Sequence, residues 1–456
     1  MPRLHRPPHR TQRGVGALVV VMVLFFIMSM VAAYASRNMI FEQRTSANNA
    51  RSTQAFEAAE AGLEWAIAML NGGRVDDVCA DTNNIATDSF RNRHLEPAPL
   101  RPEGYFRARQ WDNAGVDEAL QPSCVLGKDE GGQPRWSCSC PSGAAPVLAE
   151  PAGAGPKPTF RIRLETVDQP GVVRVWSQGC SNFGNQCFAG ATERSDAVAE
   201  VNALVGLAPS LTQTPAAAMT VRGDLDAPDI RVSNAQGAVI NAGGTVTPAN
   251  FMGPAGSPAL VVDVDDSLPG PYYTGPAHAG GLTRGEWMFL AAFGMPPAVY
   301  RTQPAVVRMT CADACAQKLI DAAARFPGRV IWIDGDLIID DDAPPVTIGS
   351  VAAPAVVIAS GDMTFGNGSN VTINGVVYSR GARWVATGST ALVNGAFVAE
   401  GRSAVDPTDD GRFTVAGAPA IVFDATVLNY LKKAQVRDAL DFGSIVRVPG
   451  SWRDFR

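Results

Sequence analysis

Six aspartates crowd two neighbouring stretches, Asp334, Asp336, Asp340, Asp341 and Asp342, then Asp362. Carboxylates at the corners of a strand-turn repeat are what a hard cation such as calcium would bind. The plainer reading is that aspartate beside glycine makes turns by accepting backbone N–H groups. Three glycine-aspartate pairs recur with an apolar residue after them, Gly223-Asp224-Leu225, Gly335-Asp336-Leu337 and Gly361-Asp362-Met363, which favours the turn. Asp406-Pro407-Thr408-Asp409-Asp410-Gly411 has the outline of a calcium loop, yet the bidentate glutamate position, twelfth from Asp406, is Gly417. Only four histidines occur, His5, His9, His94 and His278. GxSxG, HExxH, Walker and GxGxxG runs are absent, so the common nucleophile, zinc and phosphate chemistries lack their motifs. A non-enzymatic chain with no catalytic residue, metal or cofactor is expected. Trp332, Trp384 and Trp452 are candidate ligand platforms, with burial in a strand the favoured reading for Trp332.

The cysteines offer a second chemistry. Eight are present, Cys79, Cys124, Cys138, Cys140, Cys180, Cys187, Cys311 and Cys315, an even number without CxxC. That pattern favours disulfides in an oxidising compartment over zinc. Cys180 and Cys187 straddle a short loop and are expected to bridge. Cys79, Cys124, Cys138 and Cys140 allow three pairings, of which the one joining Cys138 to Cys140 strains disulfide geometry, so two remain. A bridge between Cys311 and Cys315 requires Cys311 to precede the helix that follows, since i and i+4 positions within one helix lie too far apart.

The elements that must carry these residues begin with a membrane segment. Residues 1–14 hold Arg3, Arg6, Arg10 and Arg13 and no acid, and Val15 to Ala35 carries no charge at all. At 1.5 Å per residue that run covers roughly 30 Å, a membrane span whose basic flank keeps the N-terminus cytoplasmic. No proline falls between Pro8 and Pro97, so the helix is expected to run on to Asn71-Gly72-Gly73. Its distal half, 36–72, has an apolar stripe of Phe56, Ala59, Leu63, Ala66 and Leu70, with Glu57, Glu60 and Glu64 on another face. The stripe is expected to pack on the chain's own globular part. Composition agrees with a folded body: 46% of residues are hydrophobic and 18% charged, while a net charge of −6 (38 basic, 44 acidic) excludes nucleic acid as a partner.

Between 159 and 206 three period-2 runs, including Phe160, Ile162 and Leu164, predict an antiparallel sheet with one buried face, completing a head over 73–208. Beyond it Asn374-Gly375-Val376-Val377-Tyr378 recurs twenty residues later as Asn394-Gly395-Ala396-Phe397-Val398. A period near twenty with glycine or asparagine at its corners predicts a β-solenoid over 209–456, each rung buried by its neighbours. Val377 and Phe397 are expected to stack in one file. Residues 250–329 break the pattern with a capping box from Thr283 to Glu286 before an apolar helix, a stop at Gly294 and Pro296, and a second helix near Ala316 to Arg325.

Gln12-Arg13-Gly14, the apolar run after it, and Gln54-Ala55-Phe56-Glu57-Ala58-Ala59-Glu60-Ala61-Gly62-Leu63 resemble the N-terminus of a PilX-type minor pilin. Further pieces match that family's C-terminal region: Gly294-Met295, Cys311 to Cys315, Arg329-Val330-Ile331-Trp332-Ile333-Asp334-Gly335-Asp336 and Val448-Pro449-Gly450-Ser451-Trp452-Arg453-Asp454-Phe455. Residues 74–158 are uncovered. The resemblance implies an α+β fold, a long transmembrane pilin helix packed on an antiparallel sheet, here followed by the solenoid. It implies cleavage by a prepilin peptidase between Gly14 and Val15, with Gly16 the competing site, and N-methylation of the new terminus. It also implies partnership with other pilins and minor pilins through the helix and with a tip adhesin. The implied localisation is a single-pass inner-membrane precursor with a periplasmic body, and then a cell-surface pilus. Major pilins have glutamate at the fifth mature position, where this chain has Val19, or Val21 after cleavage at Gly16; that departure suggests a low-abundance or filament-end subunit. The alternatives are a membrane-anchored β-helix carbohydrate-binding protein or lyase, and a type II secretion pseudopilin.

Overall fold

The computed structural model describes residues 14–97, 106–113, 116–143, 147–169, 171–183, 197–247, 250–274, 282–311, 315–401, 410–432 and 443–454. Helix α1 runs without interruption over Gly14–Asn71. Its distal half buries Ala55, Ala58, Ala59, Leu63, Ala66 and Leu70, so the apolar stripe meets the sheet as its spacing predicts. Small side chains bring the two backbones close together. A Cβ on Gly179 would strike the Ala55 carbonyl and the backbone of Ala59, and one on Gly62 would strike Phe160 and Ser177.

The head sheet is antiparallel, with β1 (Ser123–Lys128), β2 (Pro134–Ser139), β3 (Thr159–Thr166), β4 (Val172–Cys180) and β5 (Val198–Ala208) in the order β5-β4-β3-β1-β2. Phe160, Ile162, Leu164, Val173, Val175, Val201, Ala203 and Val205 are buried, mostly at alternate positions, and face α1 in one core. Disulfides join Cys79 to Cys140 and Cys124 to Cys138, with Cα atoms 5.2 and 4.0 Å apart. This is one of the two pairings left open by spacing. Cys124 and Cys138 face each other across the β1–β2 register. Cys180 is disulfide-bonded, while Cys187 lies outside the described residues. Cys311 bonds Cys315, and Cys315 is the first residue of its helix, so Cys311 does precede it.

Past the head the strands turn parallel. The set β6 (Met219–Val221), β7 (Val330–Ile333), β8 (Ala355–Ala359), β9 (Asn370–Ser379), β10 (Thr390–Ala399) and β11 (Ala420–Phe423) belongs to one sheet in which β7, β8, β9, β10 and β11 follow in order. A second parallel sheet lines the opposite side, Leu337–Ile339, Met363–Phe365, Arg383–Ala386, Phe413–Gly417 and Leu225–Asp226. The twenty-residue repeat is a rung: Asn374 lies opposite Asn394, Gly375 opposite Gly395 and Val377 opposite Phe397. Asn394 Nδ2 donates to Asn374 Oδ1 at 3.2 Å, and Asn374 Nδ2 donates to the Gly349 carbonyl at 3.2 Å, so an amide ladder ties three rungs. Gly375 and Gly395 hold φ of 147° and 141°, and a Cβ on either would strike the backbone of the rung beneath, which is why glycine recurs there. Ile331, Val357, Val377, Phe397, Met219 and Ile240 form one inward file across paired strands.

The other face of this sheet is buried too. Trp332, Val356, Ile358, Val376 and Tyr378 pack beneath α2 (Arg284–Phe293) and Tyr300, with Leu428 and Leu431 of a C-terminal helix in the same core. Burial on both faces explains the unbroken apolar runs of β7 and β8, as parallel sheets require. Helix α2 starts at the expected capping box, where Glu286 N donates to Thr283 Oγ1 at 3.2 Å and Thr283 N donates to Glu286 Oε2 at 2.9 Å, and it ends at Gly294 in left-handed geometry. Helix α3 (Cys315–Arg325) matches the second predicted helix.

Two features differ from the sequence expectation. Residues 250–329 are not purely an interruption, because Asn250–Met252, Leu260–Val262 and Val306–Met309 add strands to the stack. Nor does the solenoid region run to the C-terminus: β12 (Ser444–Arg447) pairs antiparallel with β5, Val446 opposite Gly206. The parallel body is therefore inserted between two adjacent strands of the head sheet. A four-residue strand carries too little pattern to declare its partner, and its register is set by Asn71. That side chain donates to the Ile445 carbonyl at 2.8 Å and accepts from Ile445 N at 2.8 Å, as a strand residue would.

Candidate assembly surface and its anchorage

The proximal half of α1 is bare. Every residue from Gly16 to Thr53 is exposed, with large apolar side chains such as Phe25, Phe26, Met28, Tyr34 and Phe41 roughly 70% accessible, and burial begins only at Ala55. Gly14 and Val15, the expected cleavage pair, open the helix; the leader before them lies outside the described residues. A helix this long and apolar is sufficient to cross a membrane, and the span contains no acid.

The other end of α1 is held by arginines from distant segments. Arg91, wholly buried on the short helix Phe90–His94, donates from Nε to the Leu70 carbonyl at 2.8 Å and from Nη1 to the Gly443 carbonyl at 3.0 Å. Arg329, buried immediately before β7, reaches the carbonyls of Gly72 at 3.2 Å and Gly443 at 3.3 Å. Arg74 returns the contact, donating from Nε to the Ala324 carbonyl of α3 at 2.9 Å. Cations thus cover the C-terminal carbonyls of both α1 and α3, where unsatisfied oxygens and the helix dipole favour them. Head, helix and body meet at this junction. Beside it, His94 is buried against Phe90, ring centroids 4.4 Å apart, and neither ring nitrogen has a hydrogen-bond partner among the described residues. Burial first, then Arg93 and Arg109, lower its pKa from 6.5 to about 3. The unfolded chain therefore binds a proton below about pH 6.5 that the folded head refuses until about pH 3, and stability falls as pH drops through that window. His94→Phe is expected to flatten the dependence of Tm on pH between about 6.5 and 4; equal slopes for the variant and the parent would refute the assignment.

Residues 16–64 match the family described as PilX N-terminal. The N-terminal segment is of the PilX type. The match spans the exposed half of α1 and the start of the half that packs on the head, as the sequence resemblance implied. Among solved structures, the competence-associated pilin ComZ from Thermus thermophilus aligns over 89% of this chain and 97% of its own, at 12% identity and a TM-score of 0.21. No curated protein matches.

The aspartates of the body serve its turns. Asp336 Oδ1 accepts from Asp362 N at 2.9 Å, Asp362 Oδ1 from Ala382 N at 2.9 Å, and Asp224 Oδ1 from Thr245 N at 2.7 Å, so each glycine-aspartate pair caps an amide of the adjoining rung. Asp341 does the same for Asn367 N at 2.7 Å. Asp334 instead pairs with Arg301 at 3.1 Å and Arg308 at 2.8 Å and accepts from Trp332 Nε1 at 3.1 Å. Among the described residues no three His, Cys, Asp or Glu side chains gather as a metal would need. Asp406 to Asp409 lie outside them. Trp332 and Trp384 are buried, while Trp452 is partly exposed and sits edge-on to Phe56, 6.5 Å between centroids.

Sequence reasoning missed a buried ion pair. Glu400, wholly buried, accepts from Arg380 Nε at 3.0 Å, and its backbone carbonyl accepts from Arg222 Nε at 2.6 Å. Burial pushes the Glu400 carboxyl above its ordinary range, against the pull of Arg380. A signal for the pair does exist: positions 380 and 400 are one twenty-residue period apart and directly follow the paired residues Ser379 and Ala399.

Proposed function

We propose that this chain is a minor pilin of a type IV pilus, of low abundance or at a filament end, whose parallel body is an accessory extracellular head with a non-enzymatic role. The observation that carries this reading is the match to the PilX N-terminal family on a helix whose proximal half is apolar and exposed while its distal half is fixed to a head. Apolar surface on that scale needs lipid or other helices around it. The mechanism is an exchange of surroundings. A precursor waits in the inner membrane, prepilin peptidase removes residues 1–14, the new terminus is methylated, and the span then leaves lipid for a bundle of similarly apolar helices. The body remains outside, available to sibling pilins or a tip adhesin.

Mass spectrometry of sheared pili tests the reading, with the chain expected in the pilus fraction beginning at a methylated Val15. Absence of the chain from pili that other subunits populate would overturn it. Gly14→Ala is expected to leave an uncut precursor held in the membrane, seen as retained leader mass on an immunoblot and by N-terminal sequencing. If Val15 is still exposed in the variant, or if the parent begins at Ala17, the cleavage site lies elsewhere.

A further inference from the structure

The charged residues of α1 divide by face. At about 100° per residue, Arg37, Arg44 and Arg51 fall within roughly 40° of one another, and Glu42, Glu57, Glu60 and Glu64 cluster on nearly the opposite side. The arginine line continues the face that, further along, carries Ala55, Ala59 and Gly62 against the head. The acidic line lies behind it. Successive arginines are seven residues apart, about 10.5 Å along the axis, and Glu57 and Glu64 have the same separation. Arg37, Arg44, Glu57 and Glu60 are exposed, and no ion pair among the described residues involves them; Glu64 meets Arg447 at 3.0 Å with both side chains about half exposed. Arg44 and Glu57 stand about 20 Å apart along the helix on opposite faces, beyond the screening length of physiological salt, so this pair does not neutralise itself within one molecule.

We propose that the arginine row is a docking face for a neighbouring parallel pilin helix, one that presents carboxylates seven residues apart on the side away from its own head. This rests on the pilin reading above. Apolar packing is non-directional, so a charge-free span leaves the axial position of a subunit undetermined, and no acid inside it can take that role. Charges flanking an apolar seam are what specify register between helices. The complementary pattern is present on this chain itself: a shift of twenty residues, about 30 Å, brings Arg37 to Glu57 and Arg44 to Glu64 of an identical helix. The partner chemistry is therefore an acidic, heptad-spaced helix face.

The test uses the full chain in piliated cells. Arg37→Glu with Arg44→Glu is expected to lower incorporation into sheared pili at least about tenfold, because like charges brought together at an interface are costly, while membrane-bound precursor stays at the parental level. Arg37→Lys with Arg44→Lys is expected to keep incorporation near the parent's. A photo-reactive side chain at Asn48, beside the row, is expected to form an adduct that maps to a helical pilin peptide with two carboxylates seven residues apart, this chain's own included. Undiminished incorporation of the reversed variant, adducts to phospholipid alone, or adducts to a peptide lacking that pair would overturn the proposal. Absence of the parental chain from pili would instead overturn the pilin reading, so the two failures are distinguishable.

Discussion

Gly179→Val is expected to detach the distal half of α1 from its sheet. Gly179 lies buried on β4 where a Cβ would collide with the Ala55 carbonyl and the Ala59 backbone, atoms of a helix main chain that cannot rotate aside. Either the helix lifts or the strand bends, at a cost of about 3 kcal/mol, the upper range for overpacking. Lifting the helix also loosens Leu63, Ala66 and Leu70 from the core they share with Ile162 and Val175. The variant head is expected to expose Trp65, which packs on Phe90 and Phe160 with centroids 5.5 and 5.4 Å away. Tryptophan fluorescence should shift to longer wavelength and Tm should fall by several degrees. The neighbouring change Gln178→Ala, on the opposite side of β4 where the amide accepts from Arg161 Nη2 at 2.6 Å, is expected to cost only about 1 kcal/mol and to leave the emission maximum close to the parent's. An unchanged Tm for Gly179→Val would mean that α1 approaches the sheet less closely than its backbone places it.

Much of this architecture is legible in the chain before it folds. The length of α1 follows from the absence of proline after Pro8, and the buried stripe follows from its three- and four-residue spacing, because both express the 3.6-residue turn. The twenty-residue repeat predicts which residues stack, since a parallel rung places identical offsets side by side: Asn374 on Asn394, and Val377 on Phe397. What stays hidden is contact order. Nothing local marks β12 as a partner of β5 more than two hundred residues earlier, or β6 as a partner of the distant β10. The arginine junction is hidden for the same reason. Arg91 and Arg329 are ordinary basic residues in sequence, and their role appears only when the C-terminus of α1 is brought to both. Local composition can report a helix end that needs satisfying, but not which distant donor will satisfy it.

Phe397→Ala is expected to be as damaging in the body as Gly179→Val is in the head. Phe397 is wholly buried in the inward file, paired with Val377 on one side and Met219 on the other. Its ring stacks on Trp384 with centroids 4.9 Å apart and lies 5.6 Å from Phe413. Removing it leaves a cavity that neighbouring rungs can collapse only in part, costing on the order of 3 to 5 kcal/mol. The position makes the loss worse than a terminal rung would suffer, because β10 is where the first strand of the body, β6, joins the later ones. Val422→Ala, at an exposed position of β11, is expected to change stability by no more than about 0.5 kcal/mol. Limited proteolysis should cut the Phe397→Ala body between residues 209 and 443 and spare the head, which keeps the Cys79–Cys140 and Cys124–Cys138 bridges and the Arg91 cap on α1. Because β12 belongs to the head sheet, the C-terminal peptide should remain bound to the N-terminal fragment under native conditions and separate from it only on denaturation. Digestion of the head at the same rate as the body would show instead that the inserted body and its host sheet unfold as one cooperative unit.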